Sequence, residues 1–188
     1  MKNISEKNVK DSVTIVIFGA SGDLTHRKLM PALYVAYIQN LLPESFAILG
    51  VARRDYDNIK FRNIILDALK EFSRIDIEKK KVNAFIKHIF YHKGDISDEN
   101  TFFSLKDLLL DTENFPENRL YYLSIIPTLF EIVIESLFKT DLISKPHQNP
   151  WSRVVIEKPF GNDLESALNL NNELLKYVDE SQIYRIDH

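Results

Sequence analysis

Apolar positions along the chain fall into two alternating patterns. Six short runs are dense in β-branched and aromatic residues, at Val13–Phe18, Phe46–Val51, His88–Tyr91, Arg119–Ile125, Arg153–Ile156 and Gln182–Ile186, and they predict strands. Between them lie longer segments whose apolar positions recur at helical spacing. In the clearest of these, Phe61, Ile64, Ile65, Ala68, Leu69 and Phe72 stand at i, i+3, i+4, i+7, i+8 and i+11, which places one stripe along a helix. Leu29–Leu41, Asp98–Leu110, Leu129–Phe138 and Asp163–Val178 behave in the same way. Strands alternating with helices build a parallel sheet, because a parallel strand can be reached only through a crossover, usually a helix. The expected class is α/β, with a doubly wound, mostly parallel six-stranded sheet covered by helices on both faces.

Two segments break the pattern. Asp76–Lys81 is a run of charge that suits a solvated helix face or a loop, and Lys145–Pro150, with two prolines, Gln148 and Asn149, marks a loop. The 188 residues fit one domain, expected over 13–188 after a polar tail at 1–12. That tail lacks the apolar centre of a secretory signal, and no apolar run approaches the roughly 20 residues needed to span a bilayer, so a cytoplasmic protein is expected.

With 24 basic and 27 acidic side chains the net charge is −3, which gives no global attraction to nucleic acid or to an anionic membrane. Any anion site must therefore be local. The absence of cysteine excludes disulfides, thiolate nucleophiles and cysteine zinc sites. Histidines at 26, 88, 92, 147 and 188 are too scattered to predict a metal centre.

The first predicted strand is almost wholly apolar, as a central strand buried on both faces must be. It runs directly into Gly19-Ala20-Ser21-Gly22-Asp23-Leu24 and then a helical segment. Strand, glycine turn and helix form the Rossmann-like arrangement in which backbone amides at a helix start meet a pyrophosphate. Gly19 would permit the tight turn and Gly22 a close approach of backbone or ligand. The usual three-glycine spacing is not met, since Ser21 and Leu24 take its second and third positions, and a plain glycine turn is the alternative these residues leave open. Asp23 would repel a pyrophosphate unless it turned away, and is expected to cap the helix. At the end of the second strand, where a carboxylate would select NAD, the chain reads Ala52-Arg53-Arg54 with no acid before Asp55, which favours the 2′-phosphate of NADP.

Three segments narrow the reading further: Gly19–Leu24 followed by Arg27-Lys28-Leu29, then Ile156-Glu157-Lys158-Pro159-Phe160-Gly161, and Gln182-Ile183-Tyr184-Arg185-Ile186-Asp187-His188. In order and spacing they resemble the glucose-6-phosphate dehydrogenase family, from about Val13 to the last residue. The resemblance implies NADP-dependent oxidation of glucose 6-phosphate to 6-phosphogluconolactone. It implies that Gly19, Ala20, Ser21, Gly22, Asp23 and Leu24 surround the coenzyme phosphates and that Arg53, with Arg54 as a weaker candidate, meets the 2′-phosphate. Pro127 would lie beside the nicotinamide half. Lys28 and Lys158 resemble active-site lysines, Lys158 near both coenzyme and substrate, and Pro159 resembles a proline preceded by a cis bond. His188 resembles a ligand of the substrate phosphate, and Asp187 a carboxylate that orients a catalytic histidine.

That histidine lies, in the family, in a second mixed α/β domain that also forms the dimer interface, and this chain ends before it. The fragment alone is therefore expected to be inactive, with dimers or tetramers expected only of a longer chain, and a non-catalytic NADP-binding module is the alternative. Ser21, Arg53, Pro127, Lys158, Asp187 and His188 all follow the C-terminal ends of predicted strands, where open α/β sheets bind ligands. Tyr56 and Lys60 share the Tyr-to-Lys spacing of short-chain dehydrogenases but follow the second strand, and read as a solvated helix start.

Overall fold

A computed structural model of the chain describes residues 11–160 and 164–187. Most of the expected polar tail, the start of the last predicted helix at Asp163, and His188 lie outside the described residues.

Six strands form one sheet in the order β3-β2-β1-β4-β5-β6, and every neighbouring pair is parallel. They are β1 (Val13–Phe18), β2 (Phe46–Ala52), β3 (Ile89–Lys93), β4 (Arg119–Leu123), β5 (Ser152–Glu157) and β6 (Ile183–Ile186). All six predicted strands are present, β1 with its expected ends and the others with ends moved by at most two residues. The helices are α1 (Met30–Ile38), entered through a π-helical turn at Thr25–Leu29, then α2 (Asn58–Phe72), α3 (Lys79–Ile86), α4 (Glu99–Leu109), α5 (Phe130–Lys139) and α6 (Leu164–Leu174). Helix α3 is the element the apolar pattern did not announce. It buries only Val82 and Phe85, too few positions to establish a period, while the charges of Asp76–Lys81 lie in its approach and first turn.

Two cores sandwich the sheet. β1 is buried at every position and divides its side chains between them: Ile15 and Ile17 join Met30, Tyr34, Phe61, Ile65 and Phe85 beneath α1, α2 and α3. Val16 and Phe18 join Phe102, Leu105, Phe130, Val133 and Leu137 beneath α4 and α5. A strand with apolar groups on both faces fits only the middle of a two-sided sheet, and that is where β1 sits. Each fully buried large side chain contributes about 1.5–3 kcal/mol.

The α2 stripe is as predicted, with Phe61, Ile65, Ala68 and Leu69 buried. Asp57 caps the helix by accepting from the Lys60 amide at 2.7 Å, and the Lys60 ammonium lies over the Tyr56 ring at 4.7 Å, so the Tyr-to-Lys pair is indeed a helix start. Among the described residues no helix is long and apolar enough to cross a membrane.

Because β1 is flanked by β2 on one side and β4 on the other, the chain leaves the two central strands in opposite directions. The crevice this opens at their C-terminal ends is the position where such sheets take ligands.

Candidate coenzyme site

The crevice begins at Gly19, whose φ of +82° is one that residues with a Cβ rarely adopt. A Cβ there would also stand 2.1 Å from the Ser124 carbonyl oxygen, so the β1 and β4 ends can approach only over a glycine. Gly22 is less constrained, its nearest obstacle being the Gly19 carbonyl at 3.1 Å.

The amides of the turn divide into two sets. Gly19 and Ala20 donate to the Val51 carbonyl at 3.0 and 3.2 Å, and Gly22 to the Gly19 carbonyl at 2.9 Å, which ties the turn to β2 and to itself. The amides of Ser21, Asp23 and Leu24 have no backbone carbonyl partner among the described residues. They stand at a helix start, where donors and the helix dipole favour an anion.

Asp23 corrects the capping expectation. The helix start carries no side-chain cap, and Asp23 instead faces Arg27, one turn on, at 3.4 Å. The pair turns the carboxylate toward a cation rather than toward the free amides. Thr25, which sequence reading passed over, is buried and donates to Ser124 Oγ at 3.1 Å, fixing the first helix to the end of β4. Lys28 projects, exposed, from the π-helical turn.

Arg53 and Arg54 stand exposed where β2 ends, and among the described residues neither forms an ion pair. The nearby acids are engaged elsewhere. Lys93 binds Asp55 at 2.9 Å and holds its carboxyl below the usual range. Asp95 is lowered chiefly by the amide and hydroxyl of Ser97, with Arg53 a lesser contributor. The backbone beneath the arginines is pinned by Tyr91, whose hydroxyl lies 2.7 Å from the Arg54 carbonyl and 2.9 Å from that of Ala52. Burial pushes the Tyr91 phenol up to about 12, so it stays a neutral donor at physiological pH. No sequence signal separated this tyrosine from a core residue, because its ring does pack in the core, 4.8 Å from that of Phe61.

Farther along the rim, Pro127 opens a 3-10 turn after β4, preceded by Ile126, a large apolar side chain left 63% exposed. After β5 the Lys158–Pro159 bond is cis. Lys158 reaches Asp187, which follows β6, at 2.7 Å. The register that pairs Glu157 with Ile186 brings these two side chains level. Below them the Tyr122 hydroxyl donates to the buried carboxylate of Glu157. The sequence signal for Glu157 is an acid directly after the apolar run Val154-Val155-Ile156.

Ser21, Arg53, Pro127, Lys158 and Asp187 thus occupy one rim in the structure, although they are spread over most of the sequence. The arrangement can hold a phosphate-bearing dinucleotide across β1, β2 and β4, and a polar ligand beside β5 and β6.

Known proteins match this chain in sequence and fold. The family model for the glucose-6-phosphate dehydrogenase NAD binding domain matches residues 16–188. Glucose-6-phosphate 1-dehydrogenase of Chlamydia pneumoniae is 42% identical over 179 residues, covering 93% of this chain and 35% of that protein. The Bacillus subtilis (strain 168) enzyme of the same name is 38% identical over 184 residues, covering 96% of this chain and 36% of its own length. A solved structure of glucose-6-phosphate dehydrogenase in complex with its substrate glucose 6-phosphate superposes with a TM-score of 0.81 at 31% identity, over 97% of this chain and 38% of that one. The chain therefore spans little more than a third of these relatives' lengths. On a family match that runs through nearly all its residues, the chain belongs to the glucose-6-phosphate dehydrogenase family, as its NAD binding domain.

Proposed function

We propose that this chain is the coenzyme-binding part, residues 13–188, of an NADP-dependent, cytoplasmic dehydrogenase that oxidises glucose 6-phosphate to 6-phosphogluconolactone. The observation that carries the choice of coenzyme is the pair of exposed guanidiniums at Arg53 and Arg54, without an ion-pair partner among the described residues, at the β2 end after the glycine turn.

The residues fit such a coenzyme, since Gly19 lets the turn form against the β4 end and the Ser21, Asp23 and Leu24 amides lack backbone carbonyl partners among the described residues. When bound, NADP would supply the acceptor for the hydride that leaves C1 of the sugar. The Ser21, Asp23 and Leu24 amides hold the pyrophosphate, and Arg53 holds the 2′-phosphate with Arg54 beside it. Ile126 and Pro127 offer the nicotinamide half an apolar wall that excludes water. Lys158 and Lys28 bind the substrate, with Lys158 also touching the coenzyme and His188 at the substrate phosphate. Asp187 holds a histidine base, contributed from outside these 188 residues, in the tautomer that accepts the C1 hydroxyl proton. The two chains of a dimer would meet through that outer part as well.

The test is calorimetric titration of the chain with NADP⁺ and NAD⁺. NADP⁺ binds more tightly, and Arg53→Ala erases the difference while leaving NAD⁺ binding in place. Equal affinity of the unaltered chain for both coenzymes would overturn the assignment of Arg53.

A further inference from the structure

We propose that the cleft between the start of α1 and the end of α2 is a second anion site, which takes an organic phosphate with a flat apolar body, of the nucleoside polyphosphate class. The cleft encloses about 520 Å³, within the range of roughly 300–1,000 Å³ for small-molecule pockets. Its floor is Pro31, Ala32, Val35 and Phe72, and its rim carries Arg27, Lys28 and Arg74. None of residues 19–24 lines it, so it is separate from the coenzyme turn.

Charge is the first argument. Three cations converge in a chain whose net charge is −3, and their one ion-pair partner among the described residues is the exposed Asp23, 3.4 Å from Arg27. The floor is the second. From Met30 to Ile38, helix α1 has no charged residue, so the side it turns to the cleft is apolar where a surface helix would normally be polar. The spacing joins the two. Arg27, Pro31 and Val35 stand at i, i+4 and i+8, and Lys28 and Ala32 at i and i+4, so two of the three cations each precede an apolar lining residue by four positions, while Arg74 comes from beyond the end of α2. Arg27 already lies over the Phe72 ring at 5.1 Å, a guanidinium–aromatic platform on which a planar ring can stack. A small inorganic anion would leave the floor unused, and an uncharged ring would leave the rim unused.

Lys28 is also assigned to the substrate, so occupancy of the cleft would draw that lysine away and weaken substrate binding without touching the coenzyme turn. This consequence rests on the proposed function; the binding itself does not.

The test is calorimetry on the full chain with ATP as the probe, with and without saturating NADP⁺, beside adenosine and tripolyphosphate. ATP is expected to bind one to one with NADP⁺ present, at least about tenfold more tightly than either partial ligand. Arg74→Glu and Phe72→Ser each weaken ATP about tenfold or more and leave NADP⁺ affinity and the melting temperature of the Arg74 variant unchanged. Loss of ATP binding under NADP⁺, tripolyphosphate binding as tightly as ATP, an indifferent Arg74→Glu variant, or no ATP binding at millimolar concentration would each overturn the proposal. If NADP⁺ itself fails to bind, the coenzyme reading falls, while the ATP titration without NADP⁺ still decides the cleft through Arg74→Glu.

Discussion

The Lys158 ammonium lies 2.7 Å from the Asp187 carboxylate, joining the loop after β5 to the residue after β6 across 29 positions of sequence. Both side chains are more than half exposed, so water screens the pair, and its contribution to stability is at most about 1 kcal/mol. Lys158→Ala and Asp187→Asn are each expected to change unfolding free energy by no more than about 1 kcal/mol, with coupling in a double-mutant cycle of the same size or less. Denaturant titration measures this. A larger coupling would make the pair a structural brace rather than two groups held ready for a ligand.

Gly19→Ala meets both a disfavoured φ and the Ser124 carbonyl, and should destabilise the domain by about 2–4 kcal/mol while abolishing dinucleotide binding. Gly22→Ala meets only the Gly19 carbonyl at 3.1 Å and should cost less than about 1 kcal/mol. Comparing the two by thermal melts and coenzyme titration separates the geometric demand of the turn from mere glycine content.

Tyr91→Phe removes the hydroxyl that holds the Ala52 and Arg54 carbonyls but keeps the ring packed against Phe61. The loss of about 1 kcal/mol of hydrogen bonding should loosen the arginine loop, lowering NADP⁺ affinity about three- to tenfold and NAD⁺ affinity little. An equal loss for both coenzymes would mean that Tyr91 supports the sheet and not the arginines.

Burial pushes the His26 imidazole below its ordinary value of 6.5, with the Ala20 backbone and Asp23 opposing and Arg54 reinforcing. Burial lowers His92 as well. A depressed pKa means that the unfolded chain takes up the proton first. The stabilisation is therefore complete above about pH 6.5 and is lost as pH falls through the lowered values. Melting temperature should drop between pH 7.5 and pH 5.5, and His26→Gln should flatten that drop. An unchanged slope would remove His26 from the acid response.

Sequence by itself determined the α/β class, all six strands, five of the six helices and the glycine turn, because these depend on local periodicity and on the backbone freedom of particular residues such as Gly19. The family motifs also singled out Lys158 and Asp187 as candidate site residues. Only the tertiary structure decided that these two meet, since their contact is made by the β5–β6 register and not by either segment alone. It likewise decided that Asp23 pairs with Arg27 instead of capping, that Tyr91 holds the arginine loop, and that Val82 and Phe85 are the positions by which α3 enters the core. Each of those outcomes is a competition among partners distant in the chain or close in space, and local pattern carries no information about which partner folding brings within reach.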